Sequence, residues 1–270
     1  MLRSREEITQ RLTQLLDADQ SPDLGEVALL VSAHGRPEEV DVEDELGTLD
    51  TLAGQLGPDA ALDDLIELLF TDLDFRGDVD DYYSPDNSRL DVVVRRRRGI
   101  PLTLAVVACA VGARAGIGLM PVGLPGHVIV ATSDGSRFVD VFDKGRSLSR
   151  DDCSKIITTL HPGMQLTESM MSPMAARAVV VRMLNNLVGV HQRRGTRSEL
   201  MNALALREEV HASQIERDRA GGAKDVAAAL AAEGKLAEAA DQLERAAQDV
   251  DASVAAGLLA QATRLRAKLN

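Results

Sequence analysis

The chain has 270 residues, enough for one large or two modest domains, and its 45% hydrophobic content suffices for a sizeable core that scarce aromatics (2%, no Trp) make an aliphatic one. A formal net charge of −12 opposes binding to nucleic acid, to anionic membranes and to other polyanions. With two cysteines, no Cys-x-x-Cys and no His/Cys cluster, neither a disulfide framework nor a structural zinc site is expected, and no cofactor or metal is indicated.

The opening MLRSREEITQ lacks the apolar core of a signal peptide, and no apolar run approaches the ~20 residues that span a bilayer. The cytoplasm is the expected location. From residue 4 to about 73 the pattern is helical. Leu12, Leu15 and Leu16 share one face. Leu24, Val27, Ala28, Leu30 and Val31 predict a helix after Ser21-Pro22, and Leu62, Leu65, Ile66, Leu68, Leu69 and Phe70 predict another. These helices are expected to pack on the core that follows. His34, before a Gly-Arg-Pro turn, is expected to be exposed.

Thr71 to Asp91 is acidic and rich in turn residues. Asp72, Asp74 and Gly77 fit three places of a calcium loop, but Arg76 and Tyr83 stand where acidic ligands belong, so calcium is not the reading. Tyr82, Tyr83, Pro85, Asn87 and Ser88 are expected to frame a cleft, or Asn87 and Ser88 to cap the next helix. Arg95 to Arg98 reads as a solvated charge run, with one or two arginines as alternative binders of an acidic group.

Pro101 suits the first turn of a helix, where its missing N–H has no partner anyway. Leu102 to Ala115 is apolar nearly all round, the mark of a buried helix, and Gly116 is its stop. The N-terminus of such a helix offers unpaired N–H groups and a positive dipole end, which lower a thiol pKa and stabilise an oxyanion. Its first turn holds Pro101 and Thr103. Thr103 is a weak candidate nucleophile, since the commoner role of such a hydroxyl is a bond to nearby backbone. Cys109 reads as a small core residue.

His127 to Thr132 and Arg137 to Phe142 alternate and are rich in β-branched residues, and the Asp134-Gly135 between them predicts a tight hairpin turn. If Ser133 pairs with Ser136, then Ile129 faces Asp140 and His127 faces Phe142. His127 and Asp140 become diagonal neighbours on one face, about 7 Å apart and within side-chain reach. A slip of one residue would separate them.

Beyond about residue 165 only helices are expected. Pro173 fits a helix start, Ala175 to Arg194 is a long periodic run ending at Gly195, and Glu199 to Val210 reads as the next helix. Ala227 to Ala246 resembles a tetratricopeptide helix pair, with Gly234 at the turn and Ala239, Leu243 and Ala246 inside. Gly195, Leu200 and Leu204 mark a degenerate earlier unit, Arg217 to Ala223 an irregular connection, and Val254 to Leu269 a closing helix. An ordinary helical hairpin is the alternative. His191 is expected to be packed.

Six segments together carry a resemblance: DYYSPDNS (Asp81 to Ser88), RRRGIPLTL (Arg96 to Leu104), VGLPGHVIV (Val122 to Val130), FVDVFD (Phe138 to Asp143), LSRDDC (Leu148 to Cys153) and MLNNLVGVHQRRG (Met183 to Gly195). The chain resembles the transglutaminase-like domain of the bacterial SirB family, a module also found in one F-box protein group of animals. The resemblance implies an α+β fold. Its parts are N-terminal helices, a papain-like core with a small antiparallel sheet and a buried central helix, and a C-terminal helical repeat region. Residues 1–165 would hold the first two and 166–270 the last. In active transglutaminase-like enzymes a Gly-x-Cys at the helix start carries the nucleophile. Gly99-Ile100-Pro101 takes that slot here, His127 that of the catalytic histidine and Asp140 that of the acid that orients it. Loss of the cysteine is common in the family.

Two classes of function follow. The favoured one is a non-catalytic binding or regulatory protein, inactive at Pro101, that engages a protein or peptide partner. The other is a hydrolase or amide-transfer enzyme that uses the His127/Asp140 pair with water, Thr103 or Cys153. The acidic setting of Arg150-Asp151-Asp152 before Cys153 would raise a thiol pKa, which counts against it.

Overall fold

In the computed structural model, which describes residues 4–18, 21–250 and 252–268, Ser4 caps the first helix, α1 (Arg5–Asp17), by a reciprocal capping box with Glu7. Asp23 caps α2 (Leu24–Gly35), which is buried along nearly its whole length. A helix that the sequence reading had not singled out follows, α3 (Val42–Ala53), with the Asp41 carboxylate accepting the Glu43 and Asp44 N–H groups. α4 (Leu62–Ile66) widens at once into a π-helical turn over Glu67–Asp72. β1 (Arg76–Gly77), α5 (Leu90–Arg96) and β2 (Arg98–Gly99) then lead to the central helix, α6 (Pro101–Arg114).

Every residue of α6 from Pro101 to Gly112 is buried. α2, α3 and α5 pack around it, β3 (Leu119–Val122) and β4 (Ile129–Thr132) cover another side, and α8 (Ala176–Arg194) also meets it. A side chain on Gly112 would approach the Ile117 carbonyl within 2.9 Å, so the helix and the strand after it need glycine there. Gly116 ends the helix in the left-handed region, at φ +76°. Each fully buried Leu, Ile or Val contributes about 1.5–3 kcal/mol of hydrophobic stabilisation.

The sheet is antiparallel in the order β3-β4-β5-β6, with β5 (Phe138–Asp140) and β6 (Arg146–Leu148). Val122, Leu124, Ile129, Leu148, Cys153, Ile157 and Met171 form a core shared by the sheet, α7 (Arg150–Leu160) and the segment after it. Ser149 caps α7 with Asp152. β1 and β2 form a separate parallel pair, Arg76 with Arg98 and Gly77 with Gly99. The architecture is thus mixed helix and sheet, with small sheets.

Several expectations are revised. His34 is buried, because α2 is covered on all sides there. Pro173 bridges Val122 at the sheet edge instead of opening a helix, and α8 begins at Ala176. Neither Asn87 nor Ser88 caps α5; the Leu90 N–H goes to Ser32 Oγ instead. Arg95, Arg96 and Arg98 pair with carboxylates of the chain itself, at Glu45 and Asp91, Asp78 and Asp86, and Asp74.

The chain divides into two compact units, 1–207 and 208–270. The compositional change near residue 165 marks no such division, because α8 packs against α2 and α6. α9 (Arg197–Ala232) continues through the expected break at Arg217 to Ala223. A helical glycine costs about 1 kcal/mol relative to alanine, about 2 kcal/mol for the adjacent Gly221 and Gly222, and the pair does not end the helix. In the second unit α9 leads through Gly234, at φ +78°, into α10 (Leu236–Ala246) and then α11 (Ala252–Arg266). Ala227, Ala239, Ala240, Leu243, Leu258 and Ala262 form its core, which includes two of the three inner positions assigned from sequence; Ala246 packs at its margin.

Candidate functional site

His127 lies just before β4 and Asp140 ends β5. The strands are shorter than expected, but their register, Val130 with Val139 and Ala131 with Phe138, is the one that puts the two residues on one face. The turn differs. Gly135 N–H closes on the Thr132 carbonyl, Gly135 is left-handed at φ +70°, and the Asp134 carboxylate takes up the Thr132 and Ser136 hydroxyls and the Ser136 N–H. A four-residue loop closing on Thr132 and Arg137 preserves the pairing that a two-residue loop would give.

His127 Nε2 stands 3.0 Å from both carboxylate oxygens of Asp140. Asp140 Oδ1 also accepts the backbone N–H groups of Phe142 at 3.0 Å and Asp143 at 3.2 Å. Burial works to raise the Asp140 pKa, but the His127 contact and these N–H groups outweigh it and hold the carboxyl below its ordinary value. An ionised Asp140 fixes the proton on Nε2, which makes Nδ1 the nitrogen able to accept a proton from a bound group.

The neighbourhood is aromatic in a chain that has few aromatics. Phe142 meets the His127 ring edge-on with centroids 6.3 Å apart, Tyr82 meets Phe142 at 6.1 Å, and Tyr83 meets Tyr82 at 5.3 Å. Arg193 lies 4.6 Å over the Tyr83 ring. Both tyrosines of the chain and one of its four phenylalanines are thus gathered beside His127. A side chain on Gly77 would sit 2.5–2.6 Å from Phe142 ring carbons, so the glycine lets this ring pack directly against β1. Gly77 pairs with Gly99, which leads into the α6 tip. The helix tip, the paired glycines, Phe142 and His127 form a contiguous series.

The candidate nucleophiles read from the sequence are held as follows. Pro101 is the first residue of α6 and is itself buried. The Thr103 hydroxyl donates to the Asn87 carbonyl at 2.7 Å and accepts the Ile100 N–H at 3.2 Å. It thereby ties the helix start to the 85–88 turn, and the Asn87 amide in turn holds the carbonyls of Asp81 and Tyr82. Cys109 and Cys153 are buried free thiols. Burial pushes both thiol pKa values up, and at Cys153 the charges of Asp152 and Asp140 add to it. Among the described residues no thiol stands within hydrogen-bonding distance of the His127 ring.

Two other histidines are buried away from this pair. His34 and His191 line, with Arg89 and Glu199, a cavity of ≈ 20 Å³, room for about one water. Burial, with Arg5 adding to it, lowers the His34 pKa to about 4. One residue close to His127 had no signal in the sequence: Arg182, which donates to the Leu124 carbonyl at 3.4 Å.

The sequence profile described as the transglutaminase-like superfamily matches residues 34–185. A UPF0162 protein of Xylella fastidiosa (strain 9a5c) is 35% identical over 130 residues, 46% of this chain and 46% of that protein. A UPF0162 protein of Pseudomonas aeruginosa is 29% identical over 188 residues, 66% of this chain and 68% of that one. F-box only protein 21 of Mus musculus is 28% identical over 144 residues, 50% of this chain and 22% of that protein. The match thus spans just under half the length of the Xylella relative and a much smaller share of the F-box protein. A solved structure of menin covers 91% of this chain and 70% of its own at a TM-score of 0.43 and 11% identity, too loose a likeness to support a fold assignment.

Proposed function

We propose that this chain, which belongs to the transglutaminase-like superfamily, is a nucleophile-lacking member that holds a peptide or protein segment at the His127–Asp140 site without cleaving or cross-linking it. The observation that carries the reading is the contrast within the site. His127 Nε2 and the Asp140 carboxylate are hydrogen-bonded to each other, and the carboxylate also to backbone, while the Thr103 hydroxyl at the helix start is tied to backbone and both thiols are buried. A His–Asp pair moves protons but forms no acyl-enzyme on its own. Loss of the nucleophile costs roughly 10⁴–10⁶ in rate in triad enzymes.

The reading extends to the whole chain. α6 and the β3–β6 sheet serve as a papain-like core of the SirB type. The C-terminal helices serve as a degenerate tetratricopeptide-like array offering a face to a protein partner, and the protein works in the cytoplasm in a regulatory role. Among the described residues no helix is long and apolar enough to cross a membrane.

A second reading is favoured by Asp140 itself. Its carboxyl is held ionised beside His127, the arrangement a general base needs to activate water for hydrolysis. One experiment separates the two. Wild type and His127→Ala are assayed against activated esters and peptide amides, and against labelled peptides for binding. Binding that His127→Ala weakens, with no turnover, supports the first reading. Turnover by the wild type that disappears in His127→Ala overturns it in favour of the second.

A further inference from the structure

Arg182 reaches from α8 to the turn that carries His127. Its Nη2 donates at 3.4 Å to the Leu124 carbonyl, which also accepts the His127 backbone N–H at 3.1 Å. Its Nη1 lies 3.9 Å from Met174 Sδ. A side chain on Gly123 would come within 2.8 Å of Met174 Sδ and closer still to Nη1. The guanidinium therefore rests on bare backbone that any larger residue would occupy. Tyr82, whose ring meets Phe142 and through it His127, is its electrostatic neighbour.

The charge of this arginine is handled unlike that of its counterparts. Arg36, Arg89, Arg114 and Arg177 are also half-buried, and they meet Asp91, Glu199, Asp23 and Asp17. Among the described residues no carboxylate lies within ion-pair distance of Arg182. A long bond to a carbonyl and a soft sulfur contact engage two of its five N–H donors. Burial accordingly pushes its pKa down. An unpaired, partly buried cation is costly, and a chain of net charge −12 has carboxylates in excess to supply. A guanidinium fork with free donors matches a carboxylate by two parallel hydrogen bonds.

We propose that Arg182 is the carboxylate-binding residue of the His127 site, taking either the C-terminal carboxylate of a bound peptide or an Asp or Glu side chain and so setting its register against His127. This rests on the peptide-binding reading above. A purely structural role, bracing the Leu124 turn, is the competing explanation, and the test must move something that bracing would not.

In the full-length protein with labelled arginine, the Arg182 side-chain N–H resonance is assigned by its loss in Arg182→Lys. It is then titrated with N-acetylglycine, with N-acetylglutamic acid α-amide and with the uncharged N-acetylglycinamide. The expected result is a saturable shift with a carboxylate probe and none with the amide, with the salt-bridged Arg36 resonance unmoved. Gly123→Ala, which keeps the charge but displaces the guanidinium, is expected to weaken the response roughly tenfold or more. The stronger of the two charged probes identifies the source of the carboxylate. Equal responses to charged and uncharged probes, or no response to either, overturn the proposal. Labelled peptides ending in acid or amide separate it from the reading beneath it. Tight peptide binding indifferent to every carboxylate refutes the role of Arg182 and keeps the peptide reading. A saturable shift with the small carboxylates and no peptide binding supports Arg182 as a carboxylate site and refutes the peptide reading.

Discussion

Replacing Asp140 separates what its charge does from what its oxygen atoms do. In Asp140→Ala the Phe142 and Asp143 N–H groups and the His127 Nε2–H all lose their acceptor. The two N–H groups lie at the end of a turn with Asp143 exposed, so about 1 kcal/mol each is appropriate, and the bond involving the charged carboxylate adds about 1.5–3 kcal/mol. The expected loss is about 3.5–5 kcal/mol. Asp140→Asn keeps an oxygen for both N–H groups and regains a weaker bond once the His127 proton moves to Nδ1, so about 1–2 kcal/mol is expected. The chain has no Trp, and its two tyrosines, Tyr82 and Tyr83, both lie in the 1–207 unit. Near-ultraviolet circular dichroism in a urea titration therefore follows the unfolding of that unit alone. The folded Asp140 pKa is held below its unfolded value of about 3.9. Its stabilisation is thus complete above the unfolded value and is lost as pH falls through the folded one. The gap between wild type and Asp140→Asn should close over that range, while the two variants keep their separation. Equal losses in the two variants at neutral pH, or a wild-type gap that ignores acid, would refute this view of the carboxylate.

Three further outcomes are expected. Gly77→Val drives a side chain into the Phe142 ring, costing about 1–3 kcal/mol by overpacking and shifting the His127 ring-proton resonances; unchanged resonances would mean the two rings are not coupled. Burial lowers the folded His34 pKa to about 4 from the ordinary histidine value of 6.5. Below the higher value the unfolded chain takes up a proton that the folded chain refuses, so the 1–207 unit loses about 3 kcal/mol as pH falls between the two values. His34→Gln should flatten that slope, and a slope left intact would place the proton uptake elsewhere. Cys109 and Cys153, buried with raised thiol pKa values, should resist iodoacetamide at neutral pH in the native protein and react readily in denaturant; fast native labelling dependent on His127 would point back to thiol chemistry.

What the sequence disclosed was local or repeated at short range. The His127–Asp140 pair was legible because strand alternation and a turn signal fix register, and the register held although the turn itself took another form. The central helix was legible because an apolar run with Pro at its start and Gly at its end has few alternatives. α3 escaped notice because it buries only Leu49 and Ala53 beneath an acidic surface. The continuity of α9 escaped because glycines read as breaks even where a long helix tolerates them. Arg182 and the seat of Phe142 on Gly77 depend on residues 58 and 65 positions apart in the chain, and no pattern in either segment announces the contact. The burial of His34 likewise comes from helices packed over it, not from the turn beside it.

The most direct measurement restores the missing group. In Pro101→Cys the introduced thiol stands at the N-terminus of α6, where unpaired N–H groups and the helix dipole lower a thiol pKa from about 8.5 toward 7 or below. The pH dependence of its alkylation is compared with that of the double variant carrying His127→Ala. A vacated nucleophile slot gives fast labelling below the ordinary thiol range, slowed sharply when His127 is removed. Labelling with an ordinary thiol profile that ignores His127 would show that the slot and the imidazole were never aligned.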